Sequence, residues 1–445
     1  MINDSEHTMV RVRIAPSPTG YMHIGLARSA LFNYAFAKKL GGSFLLRIED
    51  TDRERSKKEF EDDIKKGLTW LGIVWDEEPL RQSERGEVYK KYLKQLIDGG
   101  NAYLSQEEGG GGKRNEVIRF KNPNKVIEFN DILRGNITID TTDLGDFVIA
   151  KDLNTPLYHL AVVIDDFESG ITHIIRGDDG IANTPRQILI QEAIGAPRPL
   201  YAHIPLIVAP DHTKLSKRHG SHSLRDFRSR GYVKEAIVNF IALLGWHPEK
   251  NDKELFSLAE FVEEFSIERV VKSAAIFDKE KLNWMNREYM RSNPHIDELL
   301  KQYIPPSISS SALLVSVILE RIYTLEETRA LFEKNGELSF LAIEPFYEKN
   351  LLIEKKKNPT FEIIEKHLHF IINELSTMSE TSFSPEAIKE KIWNYATEEG
   401  RGQVLWPMRV ALTGKEKSPD PFTVAALLGR EKTFSYLQKA CDIIK

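Results

Sequence analysis

The chain has 445 residues, 41% hydrophobic and 29% charged, with a formal net charge of −5, a balance expected of globular domains rather than disordered or fibrous chains. No apolar run approaches the roughly 18 residues a membrane span needs, and Met1 to His7 lack the apolar core of a secretory leader. One cysteine, Cys441, leaves no internal disulfide and no Cys-rich zinc site, so a cytoplasmic setting without structural zinc is expected.

The length implies about three domains. Val10 to Ala15 is a predicted strand, stopped by Pro16 and Pro18, turned at Gly20 and followed by a helix from about Gly25 to Leu40. Gly41 and Gly42 are placed to cap that helix. Ser43 to Glu49 is a predicted buried strand, with Asp50-Thr51-Asp52 beyond its end, where open parallel sheets bind ligands. Helices are predicted over Lys57 to Leu71 and Glu87 to Asp98.

Between Gly99 and Pro156 three alternating segments read as strands of a mixed α/β insertion, and Gly109 to Gly112 reads as a short flexible bridge. The core is expected to resume with strands at Leu157 to Asp166 and Ile171 to Arg176. A helix capped by Thr184 follows, with Pro185 in its first turn, and then a last strand from Tyr201. Beyond Ser221 the pattern is helical, with a Pro- and Ser-rich linker at Pro305 to Ser311.

Two loops carry the chemistry. His23-Ile24-Gly25 opens a helix, whose unpaired N–H groups and partial positive charge suit a phosphate. Gly25 lets a flat ring approach the backbone, and His23 offers a donor to a phosphate oxygen. About 190 residues later comes Lys214-Leu215-Ser216-Lys217-Arg218. Each alone fits an ordinary βα connection or a solvated basic turn. In this order they resemble the two signatures of class I aminoacyl-tRNA synthetases, enzymes that hold one ATP between such segments.

With Glu49 to Asp52, Arg176 to Asp179, Asn183 to Gln187, Lys281 to Asn286 and Gly402 to Gly414, the chain resembles the bacterial glutamyl-tRNA synthetase family over nearly its whole length. The resemblance implies a Rossmann-type doubly wound catalytic domain (1–100 and 157–220) carrying an insertion (101–156). A helical stem-contact domain (221–304) and an all-α anticodon-binding region (305–445) would follow. It implies activation of L-glutamate with ATP and Mg²⁺, transfer to the terminal ribose of tRNA(Glu), and a monomer.

The resemblance also implies residue roles. His23, Lys214 and Lys217 would be catalytic, with Gly25 and Ser216 beside Lys217 at ATP. Arg13, Ser17, Glu49, Tyr158 and Arg176 would bind glutamate, an arginine fork suiting a carboxylate. Asp52, Arg321 and Arg409 would meet tRNA. A surface ion pair with Arg47 or Arg53 is the plainer account of Glu49, and a solvated helix face that of each C-terminal arginine. No general base is assigned, because the attacking carboxylate is already ionised. Adjacent Asp178 and Asp179 are expected to make a ribose or structural contact rather than a joint metal site. Leu26 stands where many class I enzymes have a second histidine, one that this subfamily often lacks. Gly180 stands where relatives often carry a larger residue, commonly histidine. The insertion is shorter than in relatives, where it contacts the acceptor stem. A base-modifying paralogue would lack the residues after Ser311. A glutamine enzyme would need a β-barrel in their place.

Overall fold

The computed structural model describes residues 9–108, 114–213, 215, 222–249, 253–355 and 358–445. They form two compact units, Met1–Asn286 and Arg287–Lys445.

In the first unit, β1 (Arg11–Ile14) leads into α1 (Ile24–Lys39), which returns to β2 (Ser43–Ile48). α1 ends where Leu40 precedes Gly41 at a φ of 65°, a left-handed turn that glycine adopts without strain. α2 (Lys58–Trp70), β3 (Leu80–Arg81) and α3 (Gly86–Asp98) follow. Then come six strands: β4 (Ala102–Glu108), β5 (Arg114–Phe120), β6 (Val126–Asp131), β7 (Gly135–Asp140), β8 (Phe147–Asp152) and β9 (Thr155–Pro156). β4, β5, β8 and β9 make an antiparallel sheet, but the β6–β7 hairpin leaves it and docks on the edge of a later core strand.

Where a strand is predicted over Leu157 to Asp166, the chain instead forms helix α4 (Tyr158–Glu168). Leu160 to Asp166 are all buried, so the apolar run carries no amphipathic signature and its β-branched Val162, Val163 and Ile164 read as a strand. β10 (His173–Gly177), α5 (Thr184–Ile194) and β11 (Leu200–Ile204) complete the second half. Thr184 does not cap α5. It sits in the first turn behind Asn183 and turns its hydroxyl toward Arg176.

β3, β2 and β1 pair in parallel, as do β10 and β11, and the Thr172 N–H donates to Arg11 O at 2.9 Å to tie the halves together. The strand order therefore reverses between β1 and β10, the switch point at which open α/β sheets bind ligands. Side chains alternate across this sheet: Ile175 and Ala202 join the core under α1, while Ile174 and Tyr201 join the core with α4 and α5.

Short β12 (Ile207–Val208) and β13 (Ala275–Ile276) pair in parallel, with α6 (Leu224–Ser229), α7 (Lys234–Leu243) and α8 (Leu258–Glu264) between them. The second unit is helical among its described residues. Its longest elements are α9 (Phe361–Ser376), α10 (Pro385–Glu399), α11 (Arg401–Thr413) and α12 (Pro421–Ile444), the last kinked at Gly429. Ile364, Leu368 and Ile371 recur at helical spacing and are fully buried, which holds α9 in the core of this unit.

Candidate active site

The period of two puts a row of polar residues on one face of the first unit's central sheet. Arg13 lies between core residues Val12 and Ile14, and Arg47 and Glu49 alternate with Leu46 and Ile48. Arg176 of β10 stands directly beside His203 of β11 in the register. These residues lie at or just past the C-terminal ends of their strands. α4 packs on the same face and brings Asp166 and Tyr158 to the row.

Asp166 is buried. Its Oδ1 accepts from Arg13 Nε at 2.8 Å and from Arg47 Nη1 at 2.6 Å, while Arg47 Nη2 donates to Glu49 Oε1 at 3.1 Å. The plainer account of Glu49 is thus half realised: it pairs with Arg47, inside the protein rather than on its surface. Burial pushes the Asp166 carboxyl up, but the two guanidiniums outweigh it and hold the group below the usual range. Burial wins for Glu49, which stays above its ordinary value despite Arg47 and Arg13. An incoming ammonium would relieve that cost of ionisation.

Arg176 differs from Arg13. Its Nε–H donates to His203 Nε2 at 3.1 Å, and its Nη2 donates to Thr184 Oγ1 at 2.8 Å and Gly180 O at 3.2 Å. Among the described residues no carboxylate pairs with it. Burial, and then the nearby Arg13, push its pKa down. A Cβ on Gly180 would lie 2.6 Å from Arg176 Nε, so the missing side chain leaves the space the guanidinium fills.

Arg13, Glu49, Tyr158 and Arg176, together with His23, Gly25 and Leu26, line one cleft of 1340 Å³. That is more than the usual 300–1,000 Å³ or so of a single small-molecule pocket. His23 is the N-cap of α1, and its Nδ1 accepts from the Leu26 N–H at 3.2 Å. Accepting at Nδ1 places the imidazole proton on Nε2, which makes Nε2–H a donor. A Cβ on Gly25 would come within 3.1 Å of that ring, so glycine is what lets His23 lie over the helix start. Tyr158 as a residue is 40% exposed, while desolvation of its hydroxyl and the Glu49 charge raise its pKa.

Lys214, Ser216 and Lys217 lie outside the described residues. Their neighbours do not: Leu215 and His222 line the cleft, and Ser223 bridges to His23 while Ile24 N–H donates to His222 O. Ser17 is exposed on the loop after β1 and is not among the residues of the cleft wall. Asp52 is also exposed and away from the wall, next to Arg55. Asp178 Oδ2 accepts from Arg134 at 2.9 Å, a structural bond. In the second unit, Arg321 is held by Glu337 at 2.9 Å and Val317 O at 2.7 Å. Arg409 is half-buried with its Nε lacking a hydrogen-bond partner among the described residues, and burial lowers its pKa. Among the described residues no group of three or more His, Cys, Asp or Glu is arranged to hold a metal.

Sequence reasoning gave no role to Asp166, His203 or Asp131, and named Arg47 only as a surface ion-pair partner of Glu49. Only a run of charges at alternating strand positions, Arg47 and Glu49, hinted at a buried polar face. Asp166 meets Arg13 across 153 residues of sequence and could not be paired with it by spacing.

Residues 9–111 and 105–284 match the family model described as tRNA synthetases class I (E and Q), catalytic domain, and residues 259–441 match the anticodon binding domain. The chain is 40% identical to a glutamate–tRNA ligase of a Sulfurihydrogenibium species over 97% of this chain and 99% of the relative. It is 39% identical to that of Aquifex aeolicus, over 95% and 97% of the two chains. The solved glutamate tRNA ligase from Elizabethkingia meningosepticum is similar with a TM-score of 0.85 and 32% identity, over 98% of this chain and all of that one. With its signature helix start and arginine-lined cleft at the switch point of a doubly wound sheet, this chain belongs to the glutamate–tRNA ligase family of class I aminoacyl-tRNA synthetases.

Proposed function

We propose that the chain activates L-glutamate with ATP and transfers the glutamyl group to the terminal ribose of tRNA(Glu), releasing diphosphate and AMP. The observation that carries this reading is a charge surplus. On the sheet face three guanidiniums, Arg13, Arg47 and Arg176, meet two carboxylates, Glu49 and Asp166, and Arg176 is the one without a carboxylate partner. Glutamate carries one net negative charge and glutamine none, so the surplus favours glutamate. Glu49 would receive the substrate ammonium, and Arg13, Arg176 and Tyr158 the side-chain carboxylate.

In the first step the substrate α-carboxylate oxygen bonds to the α-phosphorus of ATP as the bond to the diphosphate breaks. His23 Nε2–H donates to a phosphate oxygen, with Gly25 under the nucleotide. Stabilising charge there is mainly positioning and electrostatics. Lys217 would meet that charge, with Lys214 and Ser216 beside it; the support is that their neighbours Leu215 and His222 line the same cleft. Mg²⁺ fits as an ion carried on the triphosphate, where it neutralises phosphate charge, since such ions need few protein ligands. In the second step a ribose hydroxyl of tRNA attacks the mixed anhydride and AMP leaves.

The insertion would face the acceptor end, with Asp52 near the terminal nucleotide, and Arg321 and Arg409 would read anticodon bases. The alignment with the Sulfurihydrogenibium relative runs over 482 positions, more than this chain's 445 residues. The two segments of the catalytic-domain match meet at 105–111, which supports a shortened insertion there. The chain would act as a monomer in the cytoplasm. No helix among the described residues is long and apolar enough to cross a membrane.

The test is charging of purified glutamate and glutamine tRNAs with labelled glutamate. Label on the glutamate tRNA, dependent on ATP, is the expected result. Charging of neither, or of the glutamine tRNA alone, would overturn the reading.

A further inference from the structure

Arg176 is held by a chain of hydrogen bonds that begins outside the glutamate pocket. Asp131, at the end of β6 in the insertion hairpin, is buried, and its Oδ2 accepts from His203 Nδ1 at 2.7 Å and from the His203 backbone N–H at 3.0 Å. Its Oδ1 accepts from the Leu133 and Arg134 N–H groups at 2.9 and 2.8 Å, which fixes the carboxylate in the hairpin turn. His203 is fully buried in β11. With Nδ1 donating to Asp131, its Nε2 is left as the acceptor of the Arg176 Nε–H at 3.1 Å.

We propose that Asp131 and His203 form a positioning pair for glutamate recognition, aiming the Arg176 guanidinium at the substrate's side-chain carboxylate. A neutral imidazole suits this better than a carboxylate would: it accepts a hydrogen bond from Arg176 but leaves its charge uncancelled for the ligand. Burial, the largest influence, and then Arg176 keep the imidazole below its ordinary pKa, against the pull of Asp131. Thr184 completes the cradle, since its hydroxyl accepts from Arg176 Nη2 and shares its proton between Gly180 O at 3.2 Å and His203 Nε2 at 3.3 Å. Two of the guanidinium's three nitrogens are thus fixed by groups bearing no negative charge. The inference rests on Arg176 binding glutamate.

The test uses two substitutions that separate the imidazole nitrogens in the full-length protein. His203→Asn keeps an N–H near Nδ1 for Asp131 and removes the acceptor for Arg176. His203→Gln places an amide oxygen near Nε2 and removes the Nδ1 donor, while Asp131 retains its backbone partners. His203→Asn should raise the glutamate KM about ten-fold, the scale of one hydrogen bond to a charged group. Its kcat and its ATP KM should stay within about two-fold, and His203→Gln should recover the glutamate KM to within about three-fold of the parent. If His203→Asn does not fold, Asp131→Asn carries the same expectation of a rise confined to the glutamate KM.

A glutamate KM unchanged in His203→Asn, or glutamate and ATP KM rising together, would overturn the pair's role and leave it a packing contact. Arg176→Gln is measured alongside. If it too leaves the glutamate KM unchanged, the pocket assignment itself has failed; if it alone raises it, only the positioning pair has.

Discussion

Arg13 Nε–H donates to Asp166 Oδ1 at 2.8 Å, with both side chains buried, and Arg47 shares that carboxylate. Arg13 therefore reaches the cleft with its charge largely balanced, whereas Arg176 reaches it bonded to an imidazole, a hydroxyl and a carbonyl. The two arginines sit alike, one residue before the end of a parallel strand, but differ in electrostatic standing.

Asp166→Asn should leave Arg13 buried without a paired carboxylate, while Arg47 keeps Glu49. Breaking one side of a buried pair costs ~3–5 kcal/mol. Chemical unfolding should show a loss of that order, together with a raised glutamate KM as Arg13 loses its anchor. A stability change below ~0.5 kcal/mol, the range of ordinary surface substitutions, would mean the pair contributes little.

His23→Ala removes both the cap of α1 and the Nε2–H donor. The cap is worth ~1 kcal/mol of stability, while losing one well-placed donor to a charged transition state slows the chemical step about 10²–10³-fold. ATP–diphosphate exchange, run with tRNA present, should fall by that factor at nearly constant glutamate KM. An exchange rate within a few-fold of the parent would place His23 outside the chemistry.

That Arg13, Arg176, His23 and Gly25 line one cleft was legible because motif residues sit at fixed spacing around strand–loop–helix joints. Ser17 and Asp52 belong to the same motifs, yet their side chains turn to solvent, since a loop residue's direction is set by neighbours that spacing does not reveal. The misread segment from Leu157 shows another limit. A run buried on every side has no period, and only its packing between α3, α5 and the sheet makes it a helix that delivers Asp166 and Tyr158. Asp131 and His203 meet across 72 residues because the β6–β7 hairpin docks on the core sheet instead of staying with the rest of the insertion.

Glu61, on α2, shows how acid should act. Burial pushes its carboxyl up, but Lys65 at 2.8 Å and Arg81 at 2.6 Å outweigh it and bring the pKa down to about 2. A depressed folded value means the stabilisation is full above the unfolded value near 4.3 and disappears as pH falls towards 2. Glu61→Gln should therefore destabilise at pH 7 and matter progressively less below pH 4. An equal penalty at pH 7 and pH 3 in urea unfolding would contradict this.

Arg321→Gln should relax discrimination between glutamate and glutamine tRNAs, provided Arg321 exchanges its bond to Glu337 for an anticodon base. Recognition of unpaired bases uses such edge hydrogen bonds. The ratio of charging rates for the two tRNAs is the readout, and an unchanged ratio would remove Arg321 from that role.

The charge surplus is tested most directly by selection between glutamate and glutamine. The measurement is kcat/KM for each amino acid in the parent and in Arg176→Gln, with purified glutamate tRNA. A charge-assisted hydrogen bond contributes ~1.5–3 kcal/mol, so the preference for glutamate should fall at least about ten-fold in the variant. A preference as strong as the parent's would mean that the cation selecting the substrate lies elsewhere.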